Sequence, residues 1–146
     1  MARLFFQNQR RYPIQMIKLE IVTPERRLVD VEADSVTVPT VRGEIGLLKS
    51  HAPMISAIKP GILSYTVKGV AERFVVSGGF VEVSADKVSV LADIAEQASE
   101  INVEAAQSAK VSAEKELAGW SGGSDEDFEV VKERLELAET RLKLLK

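Results

Sequence analysis

The chain has 146 residues, 45% hydrophobic and 28% charged, with a net charge of −3, one histidine and no cysteine. That is the balance of a folded globular chain. It excludes disulfides and thiolate metal sites, makes a structural zinc site improbable, and argues against nucleic acid as the main partner, because phosphate binding needs a concentrated basic face.

Residues 1–15, MARLFFQNQRRYPIQ, carry three arginines and no acid. They lack the serines of a transit peptide and the apolar core of a secretory signal. They read as a poorly ordered extension, with Met16 opening the folded part. No stretch reaches the roughly 18 apolar residues that a membrane-spanning helix needs.

From Ile17 to Ala98 the hydrophobic period is two. Ile17, Leu19 and Ile21 alternate with Lys18 and Glu20; Val29 and Val31 flank Asp30; Val36 and Val38 alternate with Ser35 and Thr37. Leu63, Tyr65 and Val67, then Val81 and Val83, then Val88 and Val90 continue the pattern. Turn signals recur at Thr23-Pro24, Arg42-Gly43, Pro60-Gly61, Lys68-Gly69, Gly78-Gly79 and Ala85-Asp86. Short β-branched strands at a spacing of roughly 8–12 residues predict an antiparallel sandwich or flattened barrel over 16–98.

Within this half, Arg42 to Pro53 followed by Ile58-Lys59-Pro60-Gly61 reads as two short strands with turns at Gly43, Gly46, Pro53 and Pro60-Gly61. It is a rigid scaffold with an exposed polar tip, and it holds the lone histidine, His51.

At Ser99 valine gives way to alanine, glutamate, lysine and leucine, and the period becomes helical. Ala106, Ala109, Ala113, Leu117 and Trp120 share one face; Phe128, Val131, Leu135, Ala138, Leu142 and Leu145 share another. Asn102 and Ser124 are N-cap candidates, and Trp120-Ser121-Gly122-Gly123 separates the helices. The short connection predicts an antiparallel α-helical hairpin over 99–146. Its alanine seam buries little, and two isolated helices of this size are marginal in water. The hairpin must therefore lean on the β domain or on a partner.

Catalytic patterns are missing. Neither GxxxxGK[ST] nor GxGxxG is present, and Gly43-x-x-Gly46 lacks the lysine and helix of a phosphate loop. Ser77-Gly78-Gly79 has no second histidine or acid pattern beside it and reads as a Gly-Gly bend where backbones approach closely. His51 has no adjacent nucleophile or orienting acid and reads as a turn residue whose ring bonds local backbone. Asp125-Glu126-Asp127 suits a helix N-terminus better than a metal site. The basic hairpin residues, among them Lys110, Lys115, Lys132 and Arg134, form either a solvated face or a docking surface for an acidic partner.

Assembled in order, these segments resemble the epsilon subunit of F-type, proton-translocating ATP synthases. R-G-E-I-G-L-L-K-S-H-A-P at 42–53, I-K-P-G-I-L at 58–63, S-G-G-F-V-E-V at 77–83 and V-S-V-L-A-D at 88–93 follow one another before a helical hairpin, and the resemblance runs from Met16 to the C-terminus. Each segment alone is a weak signal; the order is specific.

The resemblance implies a non-catalytic subunit of the central stalk, or rotor, in ATP synthesis driven by proton transport. It implies a β-sandwich that binds the gamma subunit and rests on the c ring. It implies a hairpin that folds on the sandwich or extends toward the catalytic head, where it meets the beta subunit and inhibits ATP hydrolysis. Gly43, Glu44 and His51 match the family's c-ring-facing loop. Lys110, Lys115, Lys132 and Arg134 are candidates for the hairpin's docking residues. The implied location is peripheral, on the cytoplasmic face of a bacterial inner membrane, with no cofactor and no metal.

Some family members bind ATP through Ile or Leu, Asp, two variable residues, Arg and Ala. Here the stretch is Ile101-Asn102-Val103-Glu104-Ala105-Ala106, without the aspartate and the guanidinium, which implies weak or absent ATP binding. The rival reading is a free-standing β-sandwich binding module with a helical oligomerisation tail.

Overall fold

The computed structural model of the chain describes residues 15–146, so the expected disorder of 1–15 lies outside the described residues except at Gln15. Ten strands come first: β1 (Ile17–Val22), β2 (Arg27–Ala33), β3 (Ser35–Thr40), β4 (Gly43–Leu47), β5 (Met54–Ala57), β6 (Gly61–Val67), β7 (Val70–Ser77), β8 (Phe80–Val83), β9 (Lys87–Leu91) and β10 (Ile94–Glu96). A 3-10 turn at Ala98–Glu100 leads to helices α1 (Val103–Ala118) and α2 (Asp125–Leu144).

The strands form two five-stranded sheets, ordered β2-β1-β9-β8-β5 and β10-β7-β6-β3-β4. This is the sandwich that the period-two pattern predicts. All described pairings are antiparallel except β1 with β9, which run parallel with Leu19 opposite Val88 and Ile21 opposite Val90. The first strand is thereby inserted beside one of the last.

The alternating residues meet between the sheets. Ile17, Leu19, Ile21, Val88 and Val90 of the first sheet and Val38 and Leu63 of the second are fully buried. Each such side chain stabilises the fold by about 1.5–3 kcal/mol relative to exposure. The Tyr65 and Phe74 rings stack at 6.3 Å between centroids.

Gly78 and Gly79 carry the chain from the second sheet to the first. Both have positive φ, +73° and +81°, and a Cβ on Gly79 would strike the Leu91 carbonyl oxygen. That is the close approach expected of the pair. Gly46, expected in a turn, instead lies within β4 opposite Thr37. Its neighbours Ile45 and Leu47 keep the strand's alternation, which outweighs the glycine.

Both helix starts are capped as expected. The Ala105 N–H donates to Asn102 Oδ1 at 3.0 Å, and the Asp127 N–H donates to Ser124 Oγ at 3.1 Å. Ala106, Ala113, Val131 and Ala138 are buried, so small residues let the helices approach closely. Trp120 and Phe128 pack edge to face at 5.5 Å across the interhelical turn. Leu144 rather than Leu145 is buried near the end of α2. Leu144 lies beside Ala71, Arg73 and Ala98 of the sandwich, on a different face of α2 from Ala138.

α2 packs over β6 and β7. Val75 marks the place. It is fully buried, yet it stands outside the core cluster that holds Phe74 and Val76. Alternation turns it to the outer face, beneath the hairpin.

Candidate functional site

One end of the sandwich gathers the β1–β2 turn, the β3–β4 turn and the Gly78-Gly79 bend. The β3–β4 tip is held from within by Thr40, which is fully buried. Its hydroxyl donates to the Gly43 carbonyl at 2.8 Å and accepts from the Arg42 N–H at 3.1 Å. The Val41 N–H donates to the Ala57 carbonyl at 3.0 Å, tying the tip to the other sheet. Gly43 has φ +105°, a left-handed conformation that closes the turn. Val41, Arg42 and Glu44 project from this braced tip, all exposed. Sequence reasoning missed Thr40; its cue is a hydroxyl two residues before the Arg42-Gly43 turn.

His51 does not share that tip. β4 runs from Gly43 to Leu47, so at about 3.3 Å per residue its two ends lie roughly 13 Å apart. His51 follows the far end, where the Ser50 N–H donates to the Ala85 carbonyl at 2.7 Å. The His51 N–H donates to the Leu48 carbonyl at 3.1 Å, and its Nδ1 stands 2.7 Å from the Ala52 carbonyl. The ring bonds local backbone, as expected of a turn residue. The grouping of Gly43, Glu44 and His51 on one loop is therefore corrected: an extended strand separates the glycine and glutamate from the histidine.

The outer face of the first sheet carries a second feature that sequence reasoning missed. Register places Ala57 opposite Phe80, Phe80 opposite Leu91 and Leu91 opposite Val22. An apolar row thus crosses four strands, with Ile55 beside it on β5. Phe80, Leu91 and Ile55 are each more than half exposed, at 54%, 51% and 62%. Apolar side chains gathered on one rigid face make a candidate docking surface. Elsewhere on this face two strands are joined by an ion pair. Glu20 meets Lys87 at 3.1 Å, and the lysine's hydrogen bond and charge hold the carboxyl below its ordinary 4.5 against an opposing desolvation.

The hairpin's basic candidates do not form one patch. Lys110 lines a groove at the hairpin base with Lys143, Lys146, Glu136 and Glu139, a mixture of both signs. Lys115 and Lys132 are exposed. Arg134 is engaged within the hairpin, 2.9 Å from Glu116. Among the described residues no three acidic or imidazole side chains gather as a metal site, and no helix is long and apolar enough to cross a membrane.

The family model described as "ATP synthase, Delta/Epsilon chain, beta-sandwich domain" matches residues 16–98. An ATP synthase epsilon chain of Carboxydothermus hydrogenoformans is 52% identical over 102 residues, 70% of this chain and 76% of its own. One of Herpetosiphon aurantiacus is 39% identical over 130 residues, 89% of this chain and 94% of its own. In fold the chain is similar to one in the Euglena gracilis mitochondrial ATP synthase structure of OSCP, F1 and c ring, with a TM-score of 0.76 at 24% identity over 90% of this chain and 82% of that one. It is also similar to one in the central stalk and c ring of Tetrahymena thermophila mitochondrial ATP synthase, with a TM-score of 0.65 at 18% identity over 89% and 96%. The braced sandwich and its helical hairpin are therefore those of an established family, and the chain belongs to the ATP synthase epsilon chains.

Proposed function

We propose that this chain is a non-catalytic connector of the central stalk, joining the gamma subunit to the c ring. Membership of the epsilon-chain family carries the reading, and the geometry supports it. Torque needs a stiff body, and two sheets packed through a continuous apolar core supply one. The apolar row of Ala57, Phe80, Leu91 and Val22 suits a permanent protein partner, and we assign it to gamma. The braced tip of Arg42, Gly43 and Glu44 suits a polar loop surface, and we assign it to the c ring. His51, at the other end of β4, belongs to neither loop contact. The chain then sits peripherally at the membrane that houses the c ring, on the cytoplasmic face in a bacterium.

The hairpin is the regulatory part in this reading: docked as described here, or released toward the beta subunit, where it restrains ATP hydrolysis. Lys110, Lys115, Lys132 and Arg134 are its candidate contacts there. ATP does not stabilise the docked form, because Asn102 is occupied as a helix cap and Ala105 offers no guanidinium. Isothermal titration of the chain with ATP should give no binding in the low micromolar range; such binding would overturn this point.

Affinity purification of a tagged chain from its own cells tests the assignment. The gamma subunit and ATPase activity should co-purify. A chain recovered alone, or as its own oligomer, would favour the binding-module alternative.

A further inference from the structure

The ion pairs divide by the segments that they join. Arg26 grips Glu100 at 2.9 Å, fastening the connector to the β1–β2 turn. Arg134 and Glu116 lie within the hairpin. Among the described residues, one pair alone joins the helices to the sandwich. Arg141 of α2 donates from Nε at 2.9 Å and from a terminal nitrogen at 2.6 Å to the same oxygen of Glu96 on β10. Both side chains are mostly shielded, 26% and 21% exposed, whereas the Arg134 and Glu116 side chains are 48% and 44% exposed.

Position makes this pair decisive. Ala95 is buried in the core, so Glu96 turns outward. Register sets Glu96 directly beside Val75, the fully buried valine beneath α2. The hairpin thus closes over one apolar side chain with a two-donor, charge-assisted clamp at its rim. The connector bond from Arg26 to Glu100 lies on the sandwich side of α1 and does not have to break when the helices lift.

We propose that Arg141–Glu96 is the latch that sets the balance between docked and released hairpin, and that Val75 is the surface it covers. This rests on the reading of the hairpin as a releasable element. Shielded, charge-assisted hydrogen bonds contribute more than exposed ones, and loss of such a pair shifts an equilibrium by roughly five- to thirty-fold.

The absence of cysteine gives a direct test. Val75→Cys in the full chain introduces one thiol that reacts only when the hairpin lifts or the protein unfolds; Val81→Cys, in the sandwich core, reports unfolding alone. Circular dichroism checks that every variant keeps its helices. In the V75C chain, Glu96→Gln and Arg141→Gln should each speed labelling roughly five- to thirty-fold, without speeding labelling of V81C. The double variant should label no faster than the quicker single, because the pair acts as a unit. Arg134→Gln should leave the rate unchanged. Unaltered rates in E96Q and R141Q, additive effects, or an equal response to R134Q would overturn the latch. If the unmodified-latch V75C chain labelled only as fast as V81C, the releasable hairpin itself would fall, and the latch with it.

Discussion

At the scale of single residues, charge placement on the first sheet has a consequence for acid stability. The Lys87 ammonium holds Glu20 below its ordinary 4.5. A carboxyl depressed in the folded state favours folding above its unfolded value, and that contribution disappears as pH falls through the lower folded value. Lys87→Met should therefore return the Glu20 titration toward 4.5 and flatten the acid limb of melting temperature against pH below that value. NMR titration of the Glu20 carboxyl checks it, and an unchanged titration would contradict the pairing. Residues differ in how plainly the sequence shows them. The caps Asn102 and Ser124 are legible because a cap acts within three residues. Thr40 is not, because its burial depends on the sheet that closes over it. His51 is grouped with Glu44 by the family resemblance, which does not register the strand β4 that separates them.

At the scale of elements, the strands with clean alternation are legible, since one face of each meets the core and the other meets water. β7 breaks that rule. Phe74, Val75 and Val76 are consecutive and all buried, because the core covers two of them and the hairpin covers the third. The run thus records the docking of the helices, but only to a reader who already knows that a hairpin lies there. The helices carry few buried side chains, several of them alanine, and their stability leans on tertiary packing. Truncation after Ala98 should leave the sandwich folded, with its melting temperature lowered by only a few degrees, and should raise ATP hydrolysis by the assembled head. Calorimetry and a hydrolysis assay check the two halves. Unchanged hydrolysis would mean that this hairpin does not restrain the head.

At the scale of the molecule, the sheets are tied to each other at the tip and at the Gly78-Gly79 bend, and the first strand is locked beside β9. Such a body transmits displacement as one stiff unit. Sandwich and hairpin were legible as classes because their periods differ. The apolar row on the outer face was not, because Ala57, Phe80, Leu91 and Val22 come from four separate segments and meet only through strand register. In the proposed role this body couples the head to the ring. ATP-driven proton pumping in vesicles carrying the complete enzyme, stripped of this chain and then reconstituted with it, measures that coupling directly. Pumping should be lost on removal and restored by the full chain. Pumping that is equal with and without the chain would contradict the account.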